Sequence, residues 1–579
     1  MTLAAAALIG LLITMVALLV KFQQRASAIF AGAMLVTFAC GWVTETNLLR
    51  NAANPGLMTL VMLILVSYAL EKTALLRRIS RFLFSKSESA SLIKTMGVSA
   101  LASSVLNNTA VVAALLNAVR NNRYVPSSRL LIPLSFAAIM GGTLTLIGTS
   151  TNLIVNSMFT DTGHAGFRFF DFTLVGLVVL LGGSSVLLIT ARWLPRQTDE
   201  KSESAQYYLE AQLSESSPLV GKHIDEAGLR HLEDLFLTEI IRADGLEVIR
   251  PVARYDVLQA GDKLLFTGDV SKVKVLSQFP GLSLFADDNG LATHELTEVI
   301  IKEESVLIGK ALKQTGFRAR FDAAVVAIRR DGHRLTGKLG DVQLQPGDFL
   351  LLATGPDFSA RTNLSKNFYV LSGMQPDNVL SGWRERITIW GFVVMIAGTV
   401  ITGSSLFMGV LFLLALLLVT GCLNVNEIKR RFPIEIWLIV TSALCIANAL
   451  ESTGLASALT NFASTSLEGY TPYVAFIGVY LLTYILTELV TNNAAAALMF
   501  PVGYSLAVGM GIDPFPMVMG IAFAASASFV TPYGYQTNLM VFNASSYRLK
   551  HFVLIGAPVA ITYNALSILA VPFFFPFYS

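Results

Sequence analysis

Two pairs of asparagines interrupt otherwise apolar stretches of this chain. With the residue that follows each pair, they read Asn107-Asn108-Thr109 and Asn492-Asn493-Ala494. Lipid offers a side-chain amide no hydrogen-bonding partner, so each amide needs a partner within the protein or a bound solute. Either pair alone could tie neighbouring helices together. Because one pair lies in each apolar half of the chain, the matched pairs indicate a two-sided binding site near the middle of a membrane.

Each asparagine pair is followed by a second polar interruption. These interruptions read Gly148-Thr149-Ser150-Thr151-Asn152 and Thr531-Pro532-Tyr533-Gly534-Tyr535-Gln536-Thr537-Asn538, with Asn152 and Asn538 in equivalent places. Glycine and proline break a helix, and the free N–H groups and positive dipole end of the next helix attract an anion. Opened carbonyls and Ser, Thr and Asn oxygens can coordinate a hard cation such as sodium. One break alone could be a structural kink, whereas two matched breaks indicate paired ion sites.

Neither the pairs nor the breaks contain Lys or Arg. An anion would therefore be held by neutral donors, helix dipoles and bound cations, which makes coupling to a cation a physical requirement. Glu488 lies one helical turn before the second pair and could couple protons, orient the pair, or pack against a hydrogen-bonded partner. The sequence shows no P-loop, no Ser/His/Asp arrangement and no metal-ligand spacing among its six histidines, so we expect no enzyme.

The composition is that of a polytopic membrane protein. Of 579 residues, 54% are hydrophobic and 14% charged, with mean hydropathy +0.61, whereas soluble domains carry about 25% charged residues. Apolar windows predict membrane spans near 3–21, 27–46, 55–75, 128–158, 170–192, 386–403, 405–421, 432–451, 514–545 and 552–576. The stretches 90–122 and 472–510 are broken by the asparagine pairs, and we interpret both as re-entrant hairpins with the asparagines at their tips.

The distribution of basic residues predicts the topology of the chain. One set of loops carries Lys21, Arg25, Lys72, Arg77, Arg78, Arg81, Lys86, Arg120, Arg123, Arg129, Arg192, Arg196, Lys429, Arg430, Arg431, Arg548 and Lys550. The opposite loops carry only Arg50 and Arg168. This asymmetry predicts both termini outside, the base of the first hairpin in the cytoplasm and the second hairpin entering from outside. The membrane halves, 1–196 and 383–579, are then inverted relative to each other.

Between the two halves the composition changes to that of a soluble protein. Here the chain repeats itself: Leu219-Val220-Gly221-Lys222 returns as Leu307-Ile308-Gly309-Lys310, and Leu258-Gln259-Ala260-Gly261-Asp262 as Leu344-Gln345-Pro346-Gly347-Asp348. The repetition predicts two tandem α+β domains, 205–285 and 293–372, on the cytoplasmic side.

Taken together and in this order, the polar motifs resemble those of the divalent-anion:sodium symporter family, in its branch with TrkA C-terminal domains inserted between the membrane halves. The resemblance covers nearly the whole chain and implies inverted repeats with two re-entrant hairpins, an elevator-type transporter fold. It implies a homodimer whose protomers each have a scaffold domain and a mobile transport domain. It also implies sodium sites between hairpin tips and helix breaks. The inserted domains could bind a regulatory nucleotide or other small ligand, or could serve as rigid dimerisation props.

The resemblance implies that the binding residues lie in the tips and breaks. The predicted substrate and sodium residues are Asn107, Asn108, Thr109, Gly148, Thr149, Ser150, Asn152, Asn492, Asn493, Ala494, Thr531, Pro532, Thr537 and Asn538. The predicted sodium ligands among them are Asn108, Gly148, Asn152, Asn493, Thr531 and Asn538.

The departures from the family pattern bear on the substrate. In dicarboxylate members both tips read Ser-Asn-Thr, whereas Asn492 and Ala494 here replace the Ser and the Thr of the second tip. Losing a hydroxyl donor costs one end of a C4 diacid roughly 1 kcal/mol, which favours a compact divalent oxyanion, sulfate first.

We therefore expect sodium-driven import of a small anion by a multi-pass protein of a bacterial inner (plasma) membrane, with no nucleic acid partner. A dicarboxylate transporter of the same fold is the nearest alternative. A ligand-gated channel controlled by the soluble domains is an alternative of another class.

Overall fold

A computed structural model describes most of the chain. The described residues are 2–22, 25–73, 75–80, 82–85, 87–120, 122, 124–195, 207–229, 232, 235–243, 247–249, 252–268, 276, 279–284, 296–302, 305–330, 333–335, 339–355, 357–358, 361, 363–370, 380–458, 461, 471–545 and 547–578.

Helices dominate both ends of the chain. Those before the soluble segment are α1 (Leu3–Lys21), α2 (Ala26–Ala39), α3 (Glu45–Ala52), α4 (Pro55–Glu71), α5 (Leu75–Ser80), α6 (Glu88–Ser103), α7 (Asn108–Arg120), α8 (Leu131–Gly142), α9 (Ser150–Asp161) and α10 (Thr173–Thr190). The short α11 (Phe317–Phe321) and α12 (Leu364–Asn367) belong to the soluble segment. Those after it are α13 (Trp383–Thr402), α14 (Leu406–Val419), α15 (Val425–Arg431), α16 (Ile434–Ser452), α17 (Pro472–Leu489), α18 (Asn492–Gly509), α19 (Pro514–Ser526), α20 (Gln536–Asn543) and α21 (Leu549–Phe574).

Seven helical stretches among the described residues are long and apolar enough to cross a membrane. They are Leu3–Lys21, Glu45–Glu71, Thr173–Trp193, Trp383–Thr402, Ile434–Ser452, Pro472–Leu489 and Leu549–Phe574. The apolar helices Ala26–Ala39, Ser127–Gly142, Leu406–Val419 and Pro514–Ser526 are shorter. The prediction of a multi-pass helical membrane protein is confirmed.

The helices pack in two groups. In the first group, α2 packs against α16, and α4 packs against α14. In the second group, α10 packs against α21, α6 packs against α8, and α19 packs against both α17 and α18. Helix α9 contacts both α4 and α18, so the two groups meet there. One continuous hydrophobic cluster runs through both, which places the polar tips and breaks inside an apolar surround.

The asparagine pairs lie between paired helices, as expected of hairpins. Four residues, 104–107, separate α6 from α7, and two residues, 490–491, separate α17 from α18. With 16 and 13 residues, α6 and α7 are about 24 and 20 Å long, short of the ~30 Å hydrocarbon core. With 18 residues α17 is long enough to span. The re-entrant course of the two hairpins stays a prediction.

The apolar windows 128–158 and 514–545 are not continuous helices. Each divides into two shorter helices, α8 and α9 in the first and α19 and α20 in the second, separated by residues 143–149 and 527–535. The predicted breaks therefore lie where the Gly, Thr and Pro residues interrupt the apolar sequence.

The soluble segment forms two five-stranded antiparallel sheets. The first contains β1 (Tyr207–Leu213), β2 (Leu235–Ile241), β3 (Val248–Ile249), β4 (Lys263–Gly268) and β5 (Leu282–Leu284) in the order β3-β2-β4-β1-β5. The second contains β6 (Leu296–Ile301), β7 (Ala323–Arg330), β8 (His333–Arg334), β9 (Phe349–Thr354) and β10 (Phe368–Val370) in the order β10-β6-β9-β7-β8. Paired in chain order, the strands of the two sheets have the same neighbours.

Matching contacts accompany the matching strand order. Arg242 pairs with Asp262 at 2.6 Å in the first sheet, and Arg330 pairs with Asp348 at 2.7 Å in the second. The predicted domain limits 196, 205, 285, 293 and 372 lie outside the described residues. The domain division and the relation to TrkA C-terminal domains stay predictions.

The second sheet contacts the membrane helices at two elements that lead to the tips and breaks. The Asn543 amide, at the end of α20, donates to the carbonyl oxygen of Gly347 at 2.8 Å. Arg120, at the end of α7, pairs with Glu298 of β6 at 3.0 Å, with both side chains less than a fifth exposed. Ile300 of this sheet is buried within the cluster formed by the membrane helices.

We expect the Glu298→Lys variant to loosen this contact, because it places two cations together in a partly desolvated position. The cost is about 1–3 kcal/mol, measurable as a lower unfolding temperature of the purified protein. The double exchange of Arg120→Glu with Glu298→Arg restores opposite charges and should recover most of the loss. Equal unfolding temperatures for Glu298→Lys and wild type would show that the pair adds nothing to stability.

Candidate functional site

The first tip is shaped by hydrogen bonds local to it. The side chain of Asn107 is exposed and accepts from the N–H of Thr109 at 2.9 Å, which caps the start of α7. Asn108 is the first residue of α7, is 2% exposed, and accepts a hydrogen bond from Ser103 at the end of α6. Asn107 therefore ends the loop, while Asn108 and Thr109 turn inward.

In the second tip, the helix begins one residue earlier than the pairing of the two motifs by sequence predicts. Its cap is Thr491, which accepts from the N–H of Ala494, and α18 begins at Asn492. Thr487 donates to Asn492 across five positions, as Ser103 does to Asn108. The helix starts thus pair Asn108 with Asn492.

This register corrects the comparison of hydroxyl groups between the tips. When the tips are matched by sequence, Asn492 takes the place of the Ser and Ala494 that of the Thr in a Ser-Asn-Thr tip. The second tip then has neither hydroxyl. When the tips are matched by the first residue of the helix that follows, Thr491 takes the place of the Ser and Asn493 takes the place of the Thr. The methyl of Ala494 is fully buried, and this residue is the third of α18.

The two breaks adopt the same local turn. The N–H of Gly148 donates to the Thr145 hydroxyl, and the N–H of Gly534 donates to the Thr531 hydroxyl, both at 3.2 Å. The next residue is extended in both breaks, with φ −137° in the first and −140° in the second. The helices α9 and α20 then begin at Ser150 and Gln536.

The asparagine near the start of each break helix is held in the same way. The amide of Asn152 donates to the Thr145 carbonyl at 3.0 Å, and that of Asn538 donates to the Ser528 carbonyl at 2.9 Å. Both asparagines are fully buried. Thr537, also fully buried, accepts a hydrogen bond from Ser135 of α8 at 2.9 Å. These side chains fasten the loops from within.

Each tip contacts the break of the other half of the chain. Thr109 donates to the Gln536 side chain at 3.2 Å. Reciprocally, Ser150 donates to the Asn493 side chain at 2.8 Å. These contacts join the second residue of each tip helix to the first residue of the opposite break helix, and they agree with the corrected register.

The site brings together the N-termini of four helices. Residues 108, 150, 492 and 536 begin α7, α9, α18 and α20, and the contacts above link these starts. The positive dipole ends of these four helices therefore lie in a common region. The segments 103–109, 143–152, 490–493 and 527–538 contain no Asp, Glu, Lys, Arg or His. Such a region favours an anion without any cationic side chain.

The first tip and the first break also form a cluster of oxygen atoms suited to a hard cation. A Cβ on Gly148 would overlap the carbonyl oxygen of Gly142 and lie 2.9 Å from that of Ser103. A Cβ on Gly142 would lie 2.5 Å from Oδ1 of Asn108. Oδ1 of Asn152 is buried without a hydrogen-bond partner among the described residues. Carbonyl and amide oxygens are the ligand type that hard cations such as sodium prefer.

The second break differs because a carboxylate supports it. Glu488 accepts from the N–H groups of Phe529 and Val530, each at 3.2 Å, and from the Thr531 hydroxyl at 3.1 Å. The hydroxyl oxygen of Ser528 is buried without a partner among the described residues. From sequence, Glu488 could couple protons, orient the asparagine pair or pack against a hydrogen-bonded partner. Its hydrogen bonds are with the break. Pro532, which follows Thr531, is buried in the same loop.

Several residues of this region were missed from the sequence. Tyr535 accepts from the Asn108 amide at 2.8 Å and lies 3.4 Å from the Thr149 hydroxyl. Ser103 and Gly142 contribute their carbonyl oxygens from neighbouring helix ends. The only signal for Tyr535 was its place one residue before the start of a break helix, matching that of Thr149.

We expect Glu488→Ala to lower transport about tenfold or more, because the break then loses three hydrogen bonds to a charged group. Glu488→Gln keeps an acceptor oxygen and should lose less. Initial uptake rates as a function of pH distinguish the roles: a positioning carboxylate leaves the shape of the pH profile unchanged. Equal loss in both variants, with a flattened pH profile, would instead identify a proton carrier. Glu451→Gln, at an exposed position of α16, is the matched control.

Comparison with known proteins identifies the family of the chain. A profile of the citrate transporter family matches residues 1–518. The chain belongs to the citrate transporter family. This family is related to the divalent-anion:sodium symporters, so the resemblance read from the motifs is confirmed at that level, and the chain is a secondary transporter rather than an enzyme.

Three relatives indicate the breadth of this family similarity. An uncharacterised transporter of Synechocystis is 30% identical over 91% of this chain and 90% of its own length. The sodium/sulfate cotransporter 1 of Chlamydomonas reinhardtii is 30% identical over 61% of this chain and 41% of its own length. An uncharacterised transporter of Escherichia coli is 26% identical over 96% of both chains.

Proposed function

We propose that this member of the citrate transporter family is a sodium-coupled symporter of a small divalent anion, with sulfate as the leading substrate. The observation that carries the proposal is the convergence of four helix N-termini in segments that contain no Lys, Arg or His. Such a region attracts an anion through N–H groups and helix dipoles. Two negative charges taken from water still need compensation, which bound sodium supplies.

The anion and the cations would use different groups of the same segments. The anion accepts hydrogen bonds from N–H groups at the starts of α7, α9, α18 and α20 and from side chains that face them. Sodium is held by carbonyl and amide oxygens at Gly142, Ser103, Asn108 and Asn152. The second-half counterpart lies at Thr531, Asn538 and Asn493, where Ser528 keeps a buried oxygen without a described partner. Anion and cation sites then adjoin, so each stabilises the other.

A C4 dicarboxylate is the second candidate substrate. The sodium/sulfate cotransporter among the relatives supports sulfate. However, the corrected register gives the second tip a hydroxyl at Thr491 and an amide at Asn493, so the loss of hydroxyls no longer argues against a dicarboxylate. Only transport measurements with both anions separate these substrates.

The contacts also suit an elevator-type movement within a homodimer. The reciprocal contacts of Thr109 with Gln536 and of Ser150 with Asn493 hold the site as one unit across both halves of the chain. That unit borders the other helix group where α9 packs against α4. In this proposal α6–α10 and α17–α21 move together, the remaining membrane helices form the scaffold, and the sheets lie in the cytoplasm.

The position of the second sheet favours control of transport over a purely structural role. It contacts the ends of α7 and α20 through Arg120 and Asn543. Both helices begin at the site, so a ligand that shifts this sheet would bias the position of the site. A nucleotide or another small molecule could serve as that ligand.

The proposal is tested with the purified protein in liposomes loaded with potassium salt. Uptake of radiolabelled sulfate is followed under an inward sodium gradient and, in parallel, with choline replacing sodium. We expect accumulation only with sodium, and counterflow that unlabelled sulfate supports better than succinate or citrate.

Three other results would contradict parts of the proposal. Sodium-driven uptake of succinate without sulfate uptake would identify the dicarboxylate transporter. Equal uptake with and without sodium would remove cation coupling. Conductance without accumulation would identify a channel.

A further inference from the structure

Tyr535 lies between the first tip and the first break, although its hydroxyl was not among the groups expected at the site. It precedes α20 by one residue in extended conformation. Its oxygen lies 2.8 Å from the Asn108 amide of the first tip and 3.4 Å from the Thr149 hydroxyl of the first break. One phenol from the second half of the chain therefore touches both the tip and the break of the first half.

The hydrogen-bonding direction at Tyr535 leaves its proton available. Asn108 donates its Nδ2–H to the phenol oxygen, because Oδ1 of the same amide already accepts from Ser103. The phenol must then give its own proton elsewhere. Its nearest described acceptor is Thr149, at a distance of 3.4 Å that makes a weak bond. Thr149 also has Thr151 as a partner at 3.2 Å.

The surroundings of Tyr535 suit donation to an anion. Asn108 is 2% exposed and Thr149 is 4% exposed, and Tyr535 is more exposed than either. A neutral O–H at the start of α20 that contacts the starts of α7 and α9 lies where the positive ends of helix dipoles favour an anion. Hydrogen bonds from neutral donors to a charged acceptor are stronger than those between neutral groups.

We propose that the Tyr535 hydroxyl donates a hydrogen bond to an oxygen of the transported anion and thereby determines the affinity of the site for it. This inference rests on the proposed function and deepens it, since it names the side chain that replaces a cationic residue. When the anion binds, its oxygen replaces Thr149 as the acceptor of the Tyr535 hydroxyl proton. The bond from Asn108 is kept and polarises the phenol toward donation.

The test is Tyr535→Phe, which keeps the ring and removes only the hydroxyl. Initial rates of sodium-driven sulfate uptake are measured against sulfate concentration and, at saturating sulfate, against sodium concentration. We expect the KM for sulfate to rise about 10–100-fold, with the maximal rate and the sodium dependence within about threefold of wild type. Tyr533→Phe, two residues away on a side chain 57% exposed, is the matched control and should leave KM unchanged.

A second measurement separates binding from folding. Sulfate should raise the unfolding temperature of wild type and the control but not that of Tyr535→Phe. An unchanged KM would overturn the inference. So would a loss confined to the maximal rate with a lower unfolding temperature, because Tyr535 would then act only as a latch between Asn108 and α20.

The proposed function fails in a different way from the inference. If wild type transports succinate and not sulfate, the same KM comparison is made with succinate, and the inference stands or falls on that result. If wild type transports neither anion with sodium, the proposed function fails and the inference falls with it.

Discussion

Replacing Gly148 by alanine is expected to reduce sulfate uptake about 100-fold or more. A Cβ at this position overlaps the carbonyl oxygen of Gly142 and comes within 2.9 Å of that of Ser103. Both are backbone atoms, so the first tip and the first break must move apart to accept the methyl group. A displacement of about 1 Å in a positioned site can cost 100-fold in rate. The measurement is the initial rate of sodium-driven uptake in liposomes.

A second glycine in the same region provides the control. Gly97 lies inside α6, and a Cβ there meets nothing within 4 Å, so Gly97→Ala should transport like wild type and gain slightly in helix stability. Both variants are compared by size-exclusion profile and unfolding temperature. If Gly148→Ala folds normally and transports within twofold of wild type, the cation site does not lie between the first tip and the first break.

Removing the tip amides should be almost as damaging. Asn108→Ala deletes the partner of both Ser103 and Tyr535, and Asn493→Ala deletes the partner of Ser150. Each change leaves a polar group without its hydrogen bond and removes an oxygen from the ion sites. We expect a loss of about 10–100-fold in kcat/KM for either variant. The half-saturating sodium concentration should also rise for Asn108→Ala, because its Oδ1 faces the oxygen cluster at Gly142.

The control for the amide variants lies outside the site. Asn426 is exposed on α15, and its replacement by alanine should leave transport and sodium dependence unchanged. Wild-type uptake in both Asn108→Ala and Asn493→Ala would place the binding site elsewhere. A loss in Asn108→Ala alone would indicate that the two tips do not contribute equally.

The local polarity of the sequence was enough to locate the tips and breaks. Asn107, Asn492, Gly148 and Pro532 interrupt long apolar runs, and a helix in an apolar environment can stop only where its polar groups find partners. The hairpin connections and the divided helices follow directly. The repeated motifs of the soluble segment predicted two tandem α+β domains, and its strands form two sheets in which corresponding strands have the same neighbours.

The register and the partners of those residues depended on tertiary structure. The sequence motifs match Asn107 with Asn492 and Asn108 with Asn493. The folded chain instead begins its helices at Asn108 and Asn492. The cap that fixes this difference, Asn107 in one tip and Thr491 in the other, can be supplied by either residue type. A sequence pattern therefore cannot determine which residue faces the site.

The sequence alone determined that polar, uncharged segments would lie within an apolar chain, because composition and helix-breaking residues act locally. Tertiary structure decided that Thr109 contacts Gln536 and that Ser150 contacts Asn493. It also decided that Tyr535 contacts Asn108. These partners lie more than 340 residues apart in the chain. Only the packing of the two halves brings four helix starts together, and that convergence gives neutral residues their affinity for an anion.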